Sequence, residues 1–302
     1  MSESVLVVGP VSWNRIVLLD ELPEPVPHTV LARDSWETLG GTSAGKALGL
    51  CGLGRGRPGA GREVVLATQL APDHRGGLVR SLLERAGVRV LAGDSPVTER
   101  HLNLMTPRGE RVSIYLAQPP ARDGGSTPDP DEEVRAAMAD AAVVVLDLAP
   151  ESRRLVPAAL AAGRPVWTDL HDYDGTAAFH RPFLEAADAV FMNADATTDP
   201  LALLERCLRH GASFAVCTLG ADGALALDRT GRVHRVAAVP VDVVDTNGAG
   251  DAFFAGALDA HLSGAELPEA LAAGAAHAST VLASRHLHPA LDEVLDEVLA
   301  RP

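Results

Sequence analysis

The chain has 302 residues, 47% of them hydrophobic, and a formal net charge of −14. This apolar content excludes a disordered chain, and the length favours one domain over residues 1–302. The acidic balance and the lack of a basic run exclude nucleic acid as an expected partner. No apolar run is long enough to span a bilayer, so no membrane partner is expected, and three scattered cysteines favour a cytoplasmic protein.

The predicted elements alternate along the chain between short β-rich runs and Ala/Leu-rich helical runs. Strands are predicted at Val5–Val8, Val64–Leu70, 141–148, 165–170, 188–193 and 213–220. Helices are predicted at 42–53, 77–86, 152–162 and 200–210. This alternation predicts a mostly parallel sheet with helices on both faces.

Two strand-like stretches interrupt this alternation, at approximately 11–37 and 98–117. Neither contains a long helical run, so we expect them to pair into a small separate sheet. A sheet of this kind beside the main one would form a lid over an active site. Two Gly/Pro-rich stretches, 52–61 and 119–130, predict surface loops.

The strongest chemical signal is the stretch VDTNGAGDAFFAGAL at 244–258. The small residues Gly248, Ala249 and Gly250 enter a predicted helix after a strand-like run at 239–244, so the first amides of the helix are bare. Bare amides and the helix dipole form an anion site, and Asp251 lies in the first turn beside it. A carboxylate next to such a site suits phosphoryl transfer to an alcohol. The alternative interpretation is that Asp251 only stabilises the helix N-terminus. That interpretation would not explain why the three residues before Asp251 are all small.

The segment DTNGAGD at 245–251 resembles the C-terminal signature of the PfkB/ribokinase family of carbohydrate kinases. The stretch GGTSAGKALGLCGLG at 40–54 is similar to the N-terminal signature of that family, and CTLGADGAL at 217–225 resembles its nucleotide-binding segment. The resemblance implies a three-layer α/β/α fold with a small β-sheet lid. It also implies ATP and Mg²⁺ as cofactors and phosphorylation of a hydroxymethyl group on a sugar or sugar-like molecule.

The resemblance also assigns roles to individual residues. Asp251 is implied to be the general base, and the amides of Gly248, Ala249 and Gly250 the anion hole. The implied nucleotide-binding residues are Asn193, Thr218, Gly220, Gly223 and His277. The implied substrate-binding residues are Asn14, Gly40, Gly41, Gly45 and Lys46. Asp245 and the carbonyl of Asn247 are implied to hold a monovalent cation such as K⁺.

Several positions depart from the family pattern. Asn14 replaces a sugar-binding Asp, and Gly45 replaces an Asn. A metal-linked NxxE element reads NADA at 193–196, which makes Asp195 the candidate replacement for its Glu, and Leu287 stands where a Gly is usual. Lys46 is interpreted as a surface or substrate-rim residue, so the missing side chain at Gly45 predicts space beside Lys46 that the substrate would face. They favour a larger substrate, or one with an anionic or acceptor group.

Several alternatives stay open. A nucleoside kinase of the same fold would need stacking surface, which Trp13 and Trp36 could supply, and a catalytically weak sugar- or nucleotide-binding protein is another class. Gly40–Lys46 lacks the hydroxyl residue of a P-loop, because Ala47 follows the lysine.

The cluster Asp169, His171, Asp172 and Asp174 is either a metal site or a polar loop. A homodimer through the lid is also expected.

Overall fold

The computed structural model describes residues 4–54, 61–120, 132–292 and 294–295. The strands are β1 Val5–Val8, β2 Ser12–Leu18, β3 Asp34–Gly40, β4 Val64–Leu70, β5 Arg89–Asp94, β6 Glu99–Met105, β7 Arg111–Ala117, β8 Val143–Asp147, β9 Val166–Asp169, β10 Ala189–Asn193, β11 Phe214–Thr218, β12 Ala224–Asp228 and β13 Val233–Val236. The helices are α1 Thr42–Gly54, α2 His74–Arg85, α3 Glu132–Asp140, α4 Pro150–Ala162, α5 Arg181–Ala186, α6 Pro200–Arg209, α7 Ala249–Leu262 and α8 Leu267–Leu282.

A nine-stranded sheet in the order β13-β12-β11-β10-β9-β8-β1-β4-β5 forms the middle layer. The seven strands from β11 to β5 are parallel, and β12 and β13 add an antiparallel edge. One face packs against α1, α2, α7 and α8, and the other against α3 to α6. The predicted three-layer fold is confirmed.

A second sheet of four strands lies beside the first, in the order β3-β2-β6-β7. Both stretches that interrupt the alternation contribute strands to it, although β3 continues to Gly40. Asn14 of β2 pairs with Thr38 of β3 and with His101 of β6. Residues paired in this way point to the same face of a sheet, so these three side chains share one face.

Local sequence signals fix several helix ends. The Asp73 side chain accepts a hydrogen bond from the Gly76 amide at 2.8 Å, so α2 starts before the predicted 77. Asp199 caps α6 in the same way through Ala202. Gly163 ends α4 with a φ of 66°, a backbone conformation that glycine adopts without strain.

The segment 239–244 is not a strand, and that prediction is wrong. Val239, Val243 and Val244 are 40%, 58% and 61% exposed, and none of the strands in the described ranges pairs with them. Alternating valines predict a strand only where a partner strand is available. The predicted loops at 52–61 and 119–130 lie largely outside the described residues. None of the helices in the described ranges combines the length and apolar character that a bilayer crossing requires.

The parallel strands β8, β9, β10 and β11 end at Asp147, Asp169, Asn193 and Thr218. Since these strands are parallel neighbours, their last residues lie along one edge of the sheet, where ligands bind in open α/β folds. Helices α1 and α7 pack against each other beside this edge.

Candidate active site

The N-terminus of α7 presents free backbone amides. Gly248 caps the helix with a φ of 80°, and the amides of Gly250 and Asp251 have no acceptor in the part of the chain that the structure describes. A Cβ atom added to Gly250 would meet no atom within 4 Å, so the space in front of it is open. Open amides at a helix N-terminus favour an anionic ligand.

Asp251 lies at this helix start and is buried against α1. Its side chain is 10% exposed. A Cβ atom added to Gly45 would lie 2.6 Å from Asp251 Oδ2, so the carboxylate occupies the place of a side chain at position 45. The missing side chain at Gly45 therefore leaves no space for substrate, and the prediction of space beside Lys46 is wrong. Burial raises the pKa of Asp251 to about 6, although the neighbouring Lys46 charge opposes this shift.

Lys46 is fully buried, which overturns its interpretation as a surface or substrate-rim residue. Its Nζ atom lies 2.6 Å from Asp251 Oδ1, 3.1 Å from Asp169 Oδ2 and 3.2 Å from Asp147 Oδ2. Burial alone would lower the pKa of Lys46, but these three charges outweigh it and hold that pKa above its ordinary value. A buried ammonium is tolerated only with such partners, and this one has no exposed surface for an anionic substrate.

His171 is the fifth member of a charged cluster whose other members are Lys46, Asp147, Asp169 and Asp251. Its backbone has a φ of 50°, and its amide donates to Asp169 Oδ1 at 3.0 Å. Its Nε2 atom is 2.9 Å from Asp147 Oδ1. Burial would lower the pKa of His171, but the charges of Asp169 and Asp147 raise it to about 9. The imidazole is therefore cationic at neutral pH.

These contacts decide between the two interpretations of the 169–174 cluster. No group of His, Cys, Asp or Glu side chains among the described residues is arranged to hold a metal ion. Asp174 instead accepts hydrogen bonds from the amides of Thr176 and Ala177, which is an ordinary turn. The polar-loop interpretation is the one that the structure supports.

On the lid side, Asn14 packs against the glycine pair at the start of α1. A Cβ atom on Gly40 would lie 2.0 Å from Asn14 Nδ2, and one on Gly41 would lie 2.6 Å from the carbonyl oxygen of Pro10. Asn14 Oδ1 is buried and has no hydrogen-bond partner within the described ranges. Ser12 Oγ and Asn103 Oδ1 are likewise buried and without a partner there. Unpartnered buried acceptors of this kind suit ligand hydroxyl groups.

The residues predicted to bind nucleotide lie at the ends of β10 and β11. Thr218 ends β11, and Gly220 and Gly223 follow with φ angles of 59° and 87°. A side chain at Gly223 would collide with the carbonyl oxygen of Val236 at 2.0 Å. Asn193 Oδ1 accepts from the Asp195 amide at 2.9 Å, and the Asp195 side chain is exposed.

His277 is placed differently from these residues. It is buried on α8, where a Cβ atom on Gly49 would lie 3.2 Å from its Nε2 atom and one on Gly256 2.9 Å from its Cβ atom. It therefore packs between α1 and α7 as a core residue, and its predicted adenine contact stays a prediction.

Asp245 and Asn247, the predicted cation ligands, are neighbours in the loop before α7. Asp245 Oδ1 accepts from the backbone and side-chain amides of Asn247 at 2.8 and 2.9 Å. Arg111 of β7 donates to Asn247 Oδ1 at 2.5 Å, which joins the lid to this loop. The cation assignment stays a prediction.

Asp147 was not predicted as a site residue, and the predicted position of Lys46 was wrong. One signal was available: of the 26 basic residues in the chain, 25 are arginine, and Lys46 is the only lysine. A residue type used once, inside a glycine-rich stretch at a helix start, indicates a specific requirement at that position. Asp147 had a weaker signal, since it is a lone charge ending an apolar strand.

Comparisons with known proteins identify the family to which the chain belongs. The profile of the pfkB family carbohydrate kinase matches residues 182–293. The chain is 34% identical over 295 residues to acarbose 7(IV)-phosphotransferase of Actinoplanes sp., covering 94% of this chain and 95% of the relative. Fructoselysine 6-kinase of Escherichia coli is 38% identical over 96 residues, 32% of this chain and 36% of that enzyme.

Solved structures give the same result. Microbiome-derived acarbose kinase Mak1 superimposes with a TM-score of 0.81 at 30% identity, and each chain is covered completely. Arabidopsis thaliana ribokinase superimposes with a TM-score of 0.76 at 22% identity, also over 100% of both chains, which shows the shared fold. The fold and these relatives define a sugar kinase. The chain belongs to the PfkB family of carbohydrate kinases.

Proposed function

We propose that this kinase transfers the γ-phosphoryl group of ATP to a hydroxymethyl group of a carbohydrate, with Asp251 as the general base. One observation carries the proposal: a buried carboxylate lies in the first turn of α7, beside the amides of Gly250 and Asp251, which have no acceptor within the described residues. Proton removal and stabilisation of phosphoryl charge are thereby available at one helix end.

The proposed reaction is a single displacement. The Asp251 carboxylate takes the proton of the acceptor hydroxyl while the hydroxyl oxygen bonds to the γ-phosphorus. The bond from that phosphorus to the bridging oxygen of ADP breaks in the same step. The amides of Gly250 and Asp251, with that of Gly248 beside them, donate hydrogen bonds to the phosphoryl oxygens; the Ala249 amide, which was also predicted to take part, donates to the Thr246 carbonyl at 3.4 Å in this structure. The pKa of Asp251, about 6, leaves most of the carboxylate ionised at neutral pH, as a base requires.

The nucleotide and its ions fit the residues present. The left-handed turn at Gly220 and Gly223 brings backbone close to the strand ends, and the α7 amides suit phosphate oxygens. Mg²⁺ bound to ATP would neutralise phosphate charge, and ATP-bound Mg²⁺ keeps waters and phosphates as its main ligands. We assign Asp245 and the Asn247 carbonyl to a monovalent cation, since the Asp245 carboxylate is buried and next to the anion site.

We further propose that the acceptor is larger than a single sugar. A cavity of about 420 Å³ lies at the sheet edge beside the lid, and its polar lining residues are Thr68, Gln69, Glu99, Gln118, Glu151, Ser152 and Arg154. Gly9 lines it and packs against the charged cluster, since a Cβ atom there would lie 2.2 Å from Ser43 Oγ and 2.8 Å from Asp147 Cβ; Asp251 and Asn14 are not among the lining residues. Relatives named for acarbose, which cover nearly the whole chain, support an oligosaccharide-like acceptor.

A nucleoside acceptor is less well supported. Trp13 is only 4% exposed, and the guanidinium of Arg285 lies 4.2 Å from the ring centroid of Trp36. Trp13 therefore offers no face on which a base could stack, and one face of Trp36 is already covered by Arg285. Lid stacking was the feature that motivated the nucleoside interpretation.

The test is a panel of acceptors with Mg-ATP, scored by ADP release: acarbose, maltotriose, ribose, fructose and adenosine. We expect an oligosaccharide to give the highest kcat/KM and Asp251→Asn to lose the activity. Highest kcat/KM with adenosine would establish the nucleoside kinase instead. ATP binding in a thermal-shift assay with no turnover of any acceptor would favour the weakly catalytic binding protein.

A further inference from the structure

The only lysine of the chain is buried against the proposed catalytic base, and the reaction described above does not use it. We propose that Lys46 is a positioning residue for Asp251: its ammonium fixes the orientation of the carboxylate and keeps it ionised at neutral pH. This inference depends on the proposed role of Asp251 as the base.

The geometry explains why the residue is lysine in a chain that otherwise uses arginine. An ammonium has three N–H donors directed at the corners of a tetrahedron, and Asp147, Asp169 and Asp251 supply three acceptors at 2.6 to 3.2 Å. A guanidinium is planar and larger, and it directs its donors in a fork. It could not reach these three carboxylates from the same backbone position in a fully buried space.

Gly45, the residue before Lys46, also contacts the Asp251 carboxylate. The backbone of Gly45 lies against the carboxylate of Asp251, since an added Cβ atom would come within 2.9 Å of its Cγ and within 2.6 Å of its Oδ2. Lys46 Nζ holds the other oxygen, Oδ1. Two consecutive residues of α1 therefore fix both oxygens of the base, one by close packing and one by an ion pair.

Charges from three elements besides α7 surround Asp251. Lys46 comes from α1, Asp147 from the end of β8, and His171 from the segment after β9; Asp169 lies on the far side of the Lys46 ammonium. Burial and the Asp147 charge raise the pKa of Asp251, whereas Lys46 and His171 lower it. Removing the ammonium would leave burial and Asp147 less opposed, so the carboxylate would be protonated at a higher pH.

The first experiment compares pH profiles of kcat/KM from pH 5 to 10 for wild type and Lys46→Met, with the best acceptor from the panel. We expect the acid limb of the variant to move up by at least one pH unit. At pH 7 its kcat should fall about tenfold or more, with the KM for ATP unchanged and partial recovery at pH 9. Lys46→Arg should not restore the wild-type profile.

Arg62→Met is the matched control, because Arg62 forms a partly buried ion pair with Asp259 on α7, away from the site. This control should keep the wild-type profile. A Lys46→Met profile that superimposes on the wild-type profile after scaling would overturn the inference and leave Lys46 a structural residue. Wild type without sugar kinase activity, or an active Asp251→Asn, would instead overturn the proposed function.

A second measurement does not require Lys46→Met to fold. Because the chain has one lysine, protein labelled with ¹⁵N-lysine and free of tags gives a single ammonium resonance. We expect this resonance to titrate with Asp251 near pH 6 in wild type and to lose that transition in Asp251→Asn. A resonance that is invariant between pH 5 and 8 in wild type would contradict the proposed coupling.

Discussion

At the scale of the residue, Asp251 combines burial with a direct cationic partner, which keeps a buried carboxylate usable as a base. Asp251→Asn is nearly isosteric but cannot accept the proton. We expect kcat to fall by roughly 10²–10⁴, the usual contribution of a general base, with the affinity for ATP retained. Steady-state ADP release and calorimetric titration with ATP measure the two quantities. Turnover close to that of wild type would exclude Asp251 as the base.

Gly250 allows a test of the anion site that does not disturb the core. Because no atom lies within 4 Å of a Cβ at this position, Gly250→Val should fold with a Tm close to that of wild type. Its side chain would occupy the space in front of the amides, so we expect kcat/KM to fall by at least about 10²–10³.

The control for this substitution is Gly77→Val on α2, which has equally open space around its Cβ position. It should leave kcat/KM unchanged. Equal activity of the two variants would show that no phosphoryl group binds at the start of α7.

The same residues show which parts of the site are readable from sequence. Asp251 and its glycines were found because the helix start, the small residues and the carboxylate are adjacent in the chain. The roles of Lys46 and Gly45 were predicted wrongly because their partners are distant: Asp147 is 101 positions from Lys46, and Asp251 is 205. Nothing local reveals that a lysine faces three carboxylates from other elements.

At the scale of the element, the lid presents buried acceptors toward the strand ends. Asn14 Oδ1 has no partner within the described ranges, so a sugar hydroxyl would supply one. We expect Asn14→Ala to raise the KM for the sugar up to about tenfold, the equivalent of one hydrogen bond, with kcat and the KM for ATP nearly unchanged.

Arg15→Gln is the control for the lid, because Arg15 points to the other face of β2 and pairs with Glu37 there. Its sugar KM should equal that of wild type. If Asn14→Ala shares that wild-type KM, the acceptor does not contact this position of β2.

Elements with a strong periodic pattern were predicted well, and those that depend on distant partners were not. The alternation of buried strands and helices was enough for the parallel sheet. The segment 239–244 has the valines of a strand but no neighbouring strand, and the antiparallel edge formed by β12 and β13 was not anticipated. Whether a strand-like run joins a sheet depends on space at an edge, which is a property of the complete fold.

At the scale of the whole molecule, folding gathers one ammonium, one imidazole and three carboxylates at one site, where the ammonium is fully buried and the imidazole is 26% exposed. They come from α1, β8, β9, the segment after β9, and α7, so the cluster forms only when both helices dock on the strand ends. The possible homodimer through the lid stays a prediction; β3 and β7 are the two edge strands of the lid sheet.

The stability of the fold should therefore depend on pH through His171. The folded-state pKa is raised to about 9 from an ordinary 6.5, so the native state binds the proton more tightly than the unfolded chain. The resulting stabilisation is complete below pH 6.5 and is lost as the pH rises through 9. At 1.36 kcal/mol per pKa unit it amounts to about 3 kcal/mol.

His171→Asn removes this titration while tolerating the left-handed backbone at position 171. We expect the Tm difference between wild type and variant to be largest at pH 6 and to shrink steadily toward pH 9.5. Taking the difference matters, because the buried thiols of Cys207 and Cys217, whose pKa values burial raises to about 12 and 11, lower the stability of both proteins above pH 9. A Tm difference that stays constant from pH 6 to 9.5 would show that His171 is neutral in the folded protein, and that the charge opposing Asp147 comes from Lys46 alone.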